Sequence, residues 1–132
     1  MRLRFPVDLS AGLIVVHATV AGLRHQADVD LVLDTGTTTT LLIPEIVDLL
    51  GYSPRDGGTI TQVTSAIGRE RGYVLRVAQF EALGSVRHNF PVHVFDLAER
   101  DRFEGLIGLD FLRALHCEIR LSEGYLLVEE VE

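Results

Sequence analysis

Asp34, Thr35 and Gly36 follow the aliphatic run Leu31-Val32-Leu33, and they carry the strongest chemical signal in this chain. A carboxylate is costly to take out of water, so packing alone does not select one at the end of a buried strand. The triplet combines an acid, a short hydroxyl arm that both donates and accepts hydrogen bonds, and a backbone that can turn sharply or admit a second chain at close range. Such an acid can exchange protons with a bound water, or attack as a nucleophile. Four threonines, Thr37 to Thr40, come next. About seventy residues on, Leu106-Ile107-Gly108 runs into a second carboxylate, Asp110. Asp110 stands directly before Phe111-Leu112 and reads as the N-cap of a short helix spanning about 110–115, in preference to a partner acid for Asp34.

The elements that would position these groups are mostly strands. Leu13 to Ala21 and Ala27 to Leu33, joined across Gly22-Leu23-Arg24-His25, predict a β-hairpin. In its second strand Asp28, Asp30 and Val32 share one face, Ala27, Val29, Leu31 and Leu33 the other, and Asp34 arrives at the strand end, where a rigid backbone meets open space. Leu41 to Gly51, with Pro44 and Glu45 in a first turn and Gly51 past the end, predicts a short helix. A strand near Thr59 to Val63, a tip of small residues (Thr64, Ser65, Ala66, Ile67, Gly68) and a strand from Tyr73 to Phe80 predict a long hairpin. Val86 to Leu97 predicts another strand, with Pro91 marking an edge or a bulge. Cys117 to Leu121 and Tyr125 to Val131 predict a closing hairpin around Ser122-Glu123-Gly124.

On the Asp34-Thr35-Gly36 triplet and the Leu106-Ile107-Gly108 segment, the chain resembles the retropepsin-like, single-domain branch of the aspartic proteases. The resemblance implies a mainly β fold: a closed, barrel-like, pepsin-type single lobe with a flap hairpin and one or two short helices. It further implies that Asp34 is catalytic, that Thr35, Gly36 and Thr37 support the active-site loop, and that Thr35 bonds across a dimer. Residues Thr64 to Gly68 would form the substrate-binding flap. Gly108 would let the Leu106-Ile107 strand pass close beside the loop that holds Asp34. Peptide hydrolysis of this type needs two carboxylates sharing one proton, and the triplet occurs once, so a homodimer acting on a peptide or protein substrate follows. No cofactor is needed. The terminal strands, Tyr125 to Val128 among them, would contribute to the dimer interface. The alternative within the same fold is a dimeric peptide-binding module without proteolysis. Phosphoryl transfer, in which a strand-end Asp followed by Thr and Gly also occurs, fails on spacing: its further required residues would fall on Thr35 and Gly36.

Composition fits a protein of this kind and excludes several others. With 132 residues, 47% of them hydrophobic, the chain has the material for one folded domain spanning 1–132. Twelve glycines and recurrent Val, Ile and Thr favour short strands and turns. A net charge of −7 argues against nucleic acid or an anionic membrane as partner. The one cysteine, Cys117, cannot form an intrachain disulfide and reads as a buried structural thiol. Residues 1–23 superficially mimic a secretory signal, but Pro6, Asp8 and His17 interrupt the pattern, so a cytoplasmic protein is expected, and the start at Met1 favours a complete product. His88 and His93, five apart on one strand, point to opposite faces, and His17 and His25 lack a third ligand, so no metal site is expected.

Overall fold

The structure, a computed structural model, describes residues 2–8, 12–57, 60–65, 68–96 and 103–131. The chain opens with β1 (Arg2–Pro6) and continues into the expected hairpin, β2 (Val15–Ala21) and β3 (Gln26–Leu33). These strands pair antiparallel from Val15↔Val32 to Ala21↔Gln26, and the connection closes with the Gly22 amide on the His25 carbonyl. A two-residue strand β4 (Leu41–Leu42) precedes α1 (Pro44–Leu49), so the helix starts three residues later than the sequence suggests: Leu41 and Leu42 are drawn into the sheet. After a 3-10 turn at Pro54–Asp56 come β5 (Ile60–Ser65), the fifteen-residue β6 (Gly68–Ala82) and β7 (Ser85–Val94). The chain then continues through β8 (Gly105–Ile107), α2 (Leu109–Leu112), β9 (Leu115–Arg120) and β10 (Tyr125–Glu130).

Six strands close into a barrel in the order β2-β3-β8-β4-β7-β6, with β6 returning to β2 through Ala18↔Ala82 to Ala21↔Gln79. Closure removes the free edges that an open sheet would expose. The pairings β3–β8 and β4–β7 are parallel, whereas β4–β8 is antiparallel, so β8 and β4 interlock the two halves at the end of β3. Strand β5 hangs outside the barrel on β6 alone. Pro91 sits within β7 opposite Arg76, just before the two residues at which β4 joins that strand, so its missing N–H costs no ladder bond to β4.

The core follows the alternation. Val16, Ala18 and Val20 of β2 and Val29, Leu31 and Leu33 of β3 point inward, and Phe80, Phe90 and Phe111 meet at ring separations of 5.1 to 5.8 Å. Such tilted aromatic contacts add about 0.5–1.5 kcal/mol per pair beyond the area they bury. Val32 breaks the pattern. It lies on the outward face with Asp28 and Asp30, yet it is buried, in a second small cluster with Leu41 and Leu106 that Phe95 and Phe103 partly cover.

The terminal segments form a separate three-stranded sheet in the order β1-β10-β9, in which Arg2 pairs with Glu129 and Glu130 with Leu115. The signal-like start is therefore a strand. Strand β10 lies in the middle, with both backbone edges used within the chain. One face of this sheet packs Phe5, Cys117, Leu126 and Val128 against the core. The other carries Arg2 against Glu118 and Glu129, Arg120 against Glu118 and Glu123, and Arg4 over the Tyr125 ring. Cys117 is half-buried, and burial pushes its thiol up, as a structural cysteine requires.

Candidate active site

Asp34 is the first residue past β3, and its amide donates to the Ile107 carbonyl of β8 at 3.0 Å. That bond extends the β3–β8 ladder by one step and fixes where the side chain leaves the barrel. The Asp34 carboxylate is half-buried, more open than the three buried residues before it, and Gly36 donates its amide to Asp34 Oδ1 at 2.8 Å. This is the Asx type of turn, in which an acid closes a loop on a backbone amide two residues on. Thr35 and Gly36 are exposed, and the Thr35 hydroxyl makes no hydrogen bond among the described residues.

From Thr37 onward the loop changes character. Thr37 and Thr40 are fully buried, although both are polar. The carbonyls of Thr37 and Thr38 accept the amides of Leu109 (3.1 Å) and Asp110 (3.2 Å). Thr40 is held harder still. Its amide donates to Asp110 Oδ2 at 3.1 Å, its hydroxyl donates to Asp110 Oδ1 at 2.7 Å, and the same hydroxyl accepts the Gly108 amide at 3.2 Å. The loop and the segment after β8 are thus stitched together at Thr37, Thr38 and Thr40, whereas Thr39 bonds back to Thr37 and its hydroxyl is buried without a partner. A Cβ on Gly108 would stand 2.5 Å from the Thr39 carbonyl oxygen and 2.7 Å from its carbon, both backbone atoms, so only glycine permits this approach.

Asp110 is therefore neither a helix cap nor a partner for Asp34. The N-cap of α2 is Gly108, and both Asp110 oxygens are spent on Thr40. Sequence reasoning named Asp110 but missed Thr40, because a hydrogen bond between residues seventy apart leaves no local trace. It also missed His93, whose amide donates to the Thr40 carbonyl at 2.9 Å. His93 Nδ1 is buried without a hydrogen-bond partner; burial pushes the imidazole down from its ordinary value, and the Asp110 charge pulls it part of the way back.

The remaining site residues fall as follows. Ile107 is buried in the core, Leu106 in the outward cluster, and Gly108 against the loop, so the expected strand does run beside Asp34. Thr64 and Ser65 end β5 and Gly68 begins β6, with Ser65↔Gly68 the last pair of the hairpin; Ala66 and Ile67 lie outside the described residues. A groove of about 570 Å³ lies elsewhere, lined by His17, Thr19, Asp28, Asp30 and Glu81 with Phe5 and the turn at Leu83-Gly84, and shares no residue with the Asp34 loop. Within it His17 contacts Asp30 across the hairpin and Thr19 donates to Asp28 at 2.9 Å. Among the described residues no three His, Cys, Asp or Glu side chains converge as a metal site would require.

A closed six-stranded barrel that delivers an Asp-Thr-Gly turn beside a hydrophobic-hydrophobic-Gly strand defines the retropepsin-like class. A family model described as "Aspartyl protease" matches residues 16–111, and the chain belongs to that family. Among solved structures, the fold is similar to that of a retropepsin-like aspartic protease from Rickettsia conorii, with a TM-score of 0.71 and 18% sequence identity over 97% of this chain and 89% of that one. Comparison with curated proteins finds no match. No helix among the described residues is long and apolar enough to cross a membrane.

Proposed function

We propose that the chain is an aspartic endopeptidase that works as a homodimer, with Asp34 of each copy facing the other across a two-fold axis. The observation that carries this reading is the state of the two carboxylates at the loop: Asp34 is oriented and open, whereas Asp110 is committed to Thr40. The second acid then has to come from a second copy. Two carboxylates a few ångströms apart cannot both ionise cheaply, so they hold one proton between them and titrate as a unit. The ionised member takes a proton from a water between them as its oxygen attacks the scissile carbonyl carbon. The protonated member donates to the carbonyl oxygen as it becomes tetrahedral. Proton return to the amide nitrogen expels the amine, and the pair is regenerated.

Each neighbouring residue has a part in this scheme. The Gly36 amide holds Asp34 Oδ1, and the exposed Thr35 hydroxyl bonds to the opposite loop. Thr37 anchors the turn from behind. The β5–β6 hairpin acts as a flap, with Thr64 to Gly68 closing over an extended peptide that pairs with it as an added strand. Residues 1–132 act as one protease domain, without a cofactor, and a single half-buried thiol suits the reducing cytoplasm.

The test is the solution mass of the wild type beside Asp34→Asn, each then offered a mixed peptide library from acid to neutral pH. Cleavage by a dimer, lost in Asp34→Asn, is the expected result. A monomer with no cleavage at any pH would overturn the reading and leave the fold as a peptide-binding module.

A further inference from the structure

Arg87 of β7 turns a cation inward, and nothing in the chemistry proposed above calls for one. It pairs with Phe80 across the β6–β7 ladder, so its side chain shares a face with Phe80 and with Ser85 two residues before it. Burial pushes the guanidinium down from its ordinary value, and the charges of Glu130 and Asp110 offset part of that effect. A cation set against a fully buried phenylalanine is not what packing selects. Its bonds account for it. Arg87 Nη2 donates to the Phe111 carbonyl at 3.1 Å, Nε donates to the Ser85 hydroxyl at 3.1 Å, and the guanidinium carbon lies 4.2 Å from the centre of the Phe111 ring. A planar fork makes two directed bonds and lies on a ring at once, which an ammonium cannot. The two ends of this clamp differ. Ser85 is buried and closes the β6–β7 turn, in which Leu83 and Gly84 both have positive φ (52° and 75°) and Leu83 is buried, so the near end is fixed by the fold. The far end is α2, a single turn of four residues with no cooperative length of its own. The amides of α2 do not reach the Phe111 carbonyl, and Arg87 supplies the donor. The same turn holds the loop: Leu109 and Asp110 donate their amides to Thr37 and Thr38, and the Asp110 carboxylate accepts the Thr40 amide and hydroxyl.

We propose that Arg87 is a positioning residue for the Asp34 loop: it fixes α2 from behind through the Phe111 carbonyl, and α2 in turn sets where residues 37–40, and hence Asp34, stand. Every link from β7 to the loop is a hydrogen bond or a covalent one. Without the guanidinium the Phe111 carbonyl loses its donor, and the turn shifts to find another. The Phe111 ring stays anchored against Phe80 and Phe90, so the movement falls on the backbone of α2 and on the bonds that Leu109 and Asp110 make to the loop. Arg87 itself touches no substrate in this scheme. What it protects is the alignment of Asp34, so its loss lowers kcat more than it weakens substrate binding.

This inference rests on the proposed role of Asp34 for its effect on catalysis, and on the fold alone for its effect on α2. The test compares wild type with Arg87→Met, which keeps an unbranched stem over the Phe111 ring and removes the donors. Amide hydrogen exchange in the full chain, followed by NMR, should show Leu109, Asp110 and Thr40 losing protection by about tenfold or more relative to amides of the β2–β3 ladder. On a cleaved peptide, kcat should fall by about tenfold or more with KM nearly unchanged. If Arg87→Met does not fold, Ser85→Ala decides: it removes the Nε bond and should give the same pattern at smaller size. Protection at Leu109 and Asp110 that stays at the wild-type level, or that falls equally throughout the barrel, would overturn the proposal, as would an unchanged kcat. Failure of the protease reading would instead appear as no cleavage by the wild type, with the selective loss of protection intact.

Discussion

The loop from Asp34 to Thr40 is two regions with opposite properties. Its front, Asp34 to Gly36, is open and held by backbone bonds and one side-chain turn. In its back, Thr37 to Thr40, the first and last threonines are fully buried, and Thr37, Thr38 and Thr40 each bond to the segment that follows β8. The contrast shows how a small barrel keeps a reactive acid both accessible and fixed. Accessibility demands that Asp34 leave the core, and most of the polar groups behind it are consumed in internal hydrogen bonds, the buried Thr39 hydroxyl excepted. Rigidity is supplied by residues that never meet a substrate.

Substitutions that separate front from back test this division. Asp34→Asn should abolish peptide cleavage, by roughly 10²–10⁴-fold or more as expected for loss of a general acid or base, while leaving the melting temperature nearly unchanged. A large drop in stability would show that the front is also structural. Asp110→Ala should do the reverse. It strands the Thr40 amide and hydroxyl, and charge-assisted bonds of this kind contribute about 1.5–3 kcal/mol each, so denaturant unfolding should shift to markedly lower concentration. Gly108→Ala should cost about 1–3 kcal/mol, because its methyl meets the Thr39 backbone and the two segments must move apart. Thr35→Ala should leave the melting temperature of the monomer within error and raise the dimer dissociation constant measured by sedimentation. The smallest effect belongs to the charged face of the terminal sheet: Arg2→Ala removes two exposed ion pairs and should leave thermal unfolding unchanged.

Front and back also differed in how legible they were from residue order. The front is a contiguous triplet after a strand with clear alternation, so its type, position and turn could be read directly. The hairpin before it, the helix after it and the closing hairpin were legible for the same reason, since period and turn residues are local signals. The back was not. Its parts come from residues 37–40, 93 and 107–110, and nothing in the order of residues says that Thr40 and Asp110 share two hydrogen bonds. Asp110 was read as a cap because a carboxylate directly before Phe111-Leu112 looks like one; the barrel brings Thr40 within reach, and the shared bonds win. Strand β4 was hidden for a related reason. Leu41 and Leu42 carry no pattern of their own and are strand only because β7 and β8 flank them. Val32, on a face that sequence alternation marks as polar, is buried only because the chain returns with Leu106, Phe95 and Phe103 to cover it.

The pairing of β1 with β10 bears on the order in which the molecule is assembled. Strand β1 precedes its partner by eight other strands, so it waits unpaired until β10 has been synthesised. The six barrel strands, all from β2 to β8, need neither of them. Closing the largest loop in the chain costs least entropy once that barrel has brought the ends near each other, so the terminal sheet is expected to dock last, as the slow step of folding.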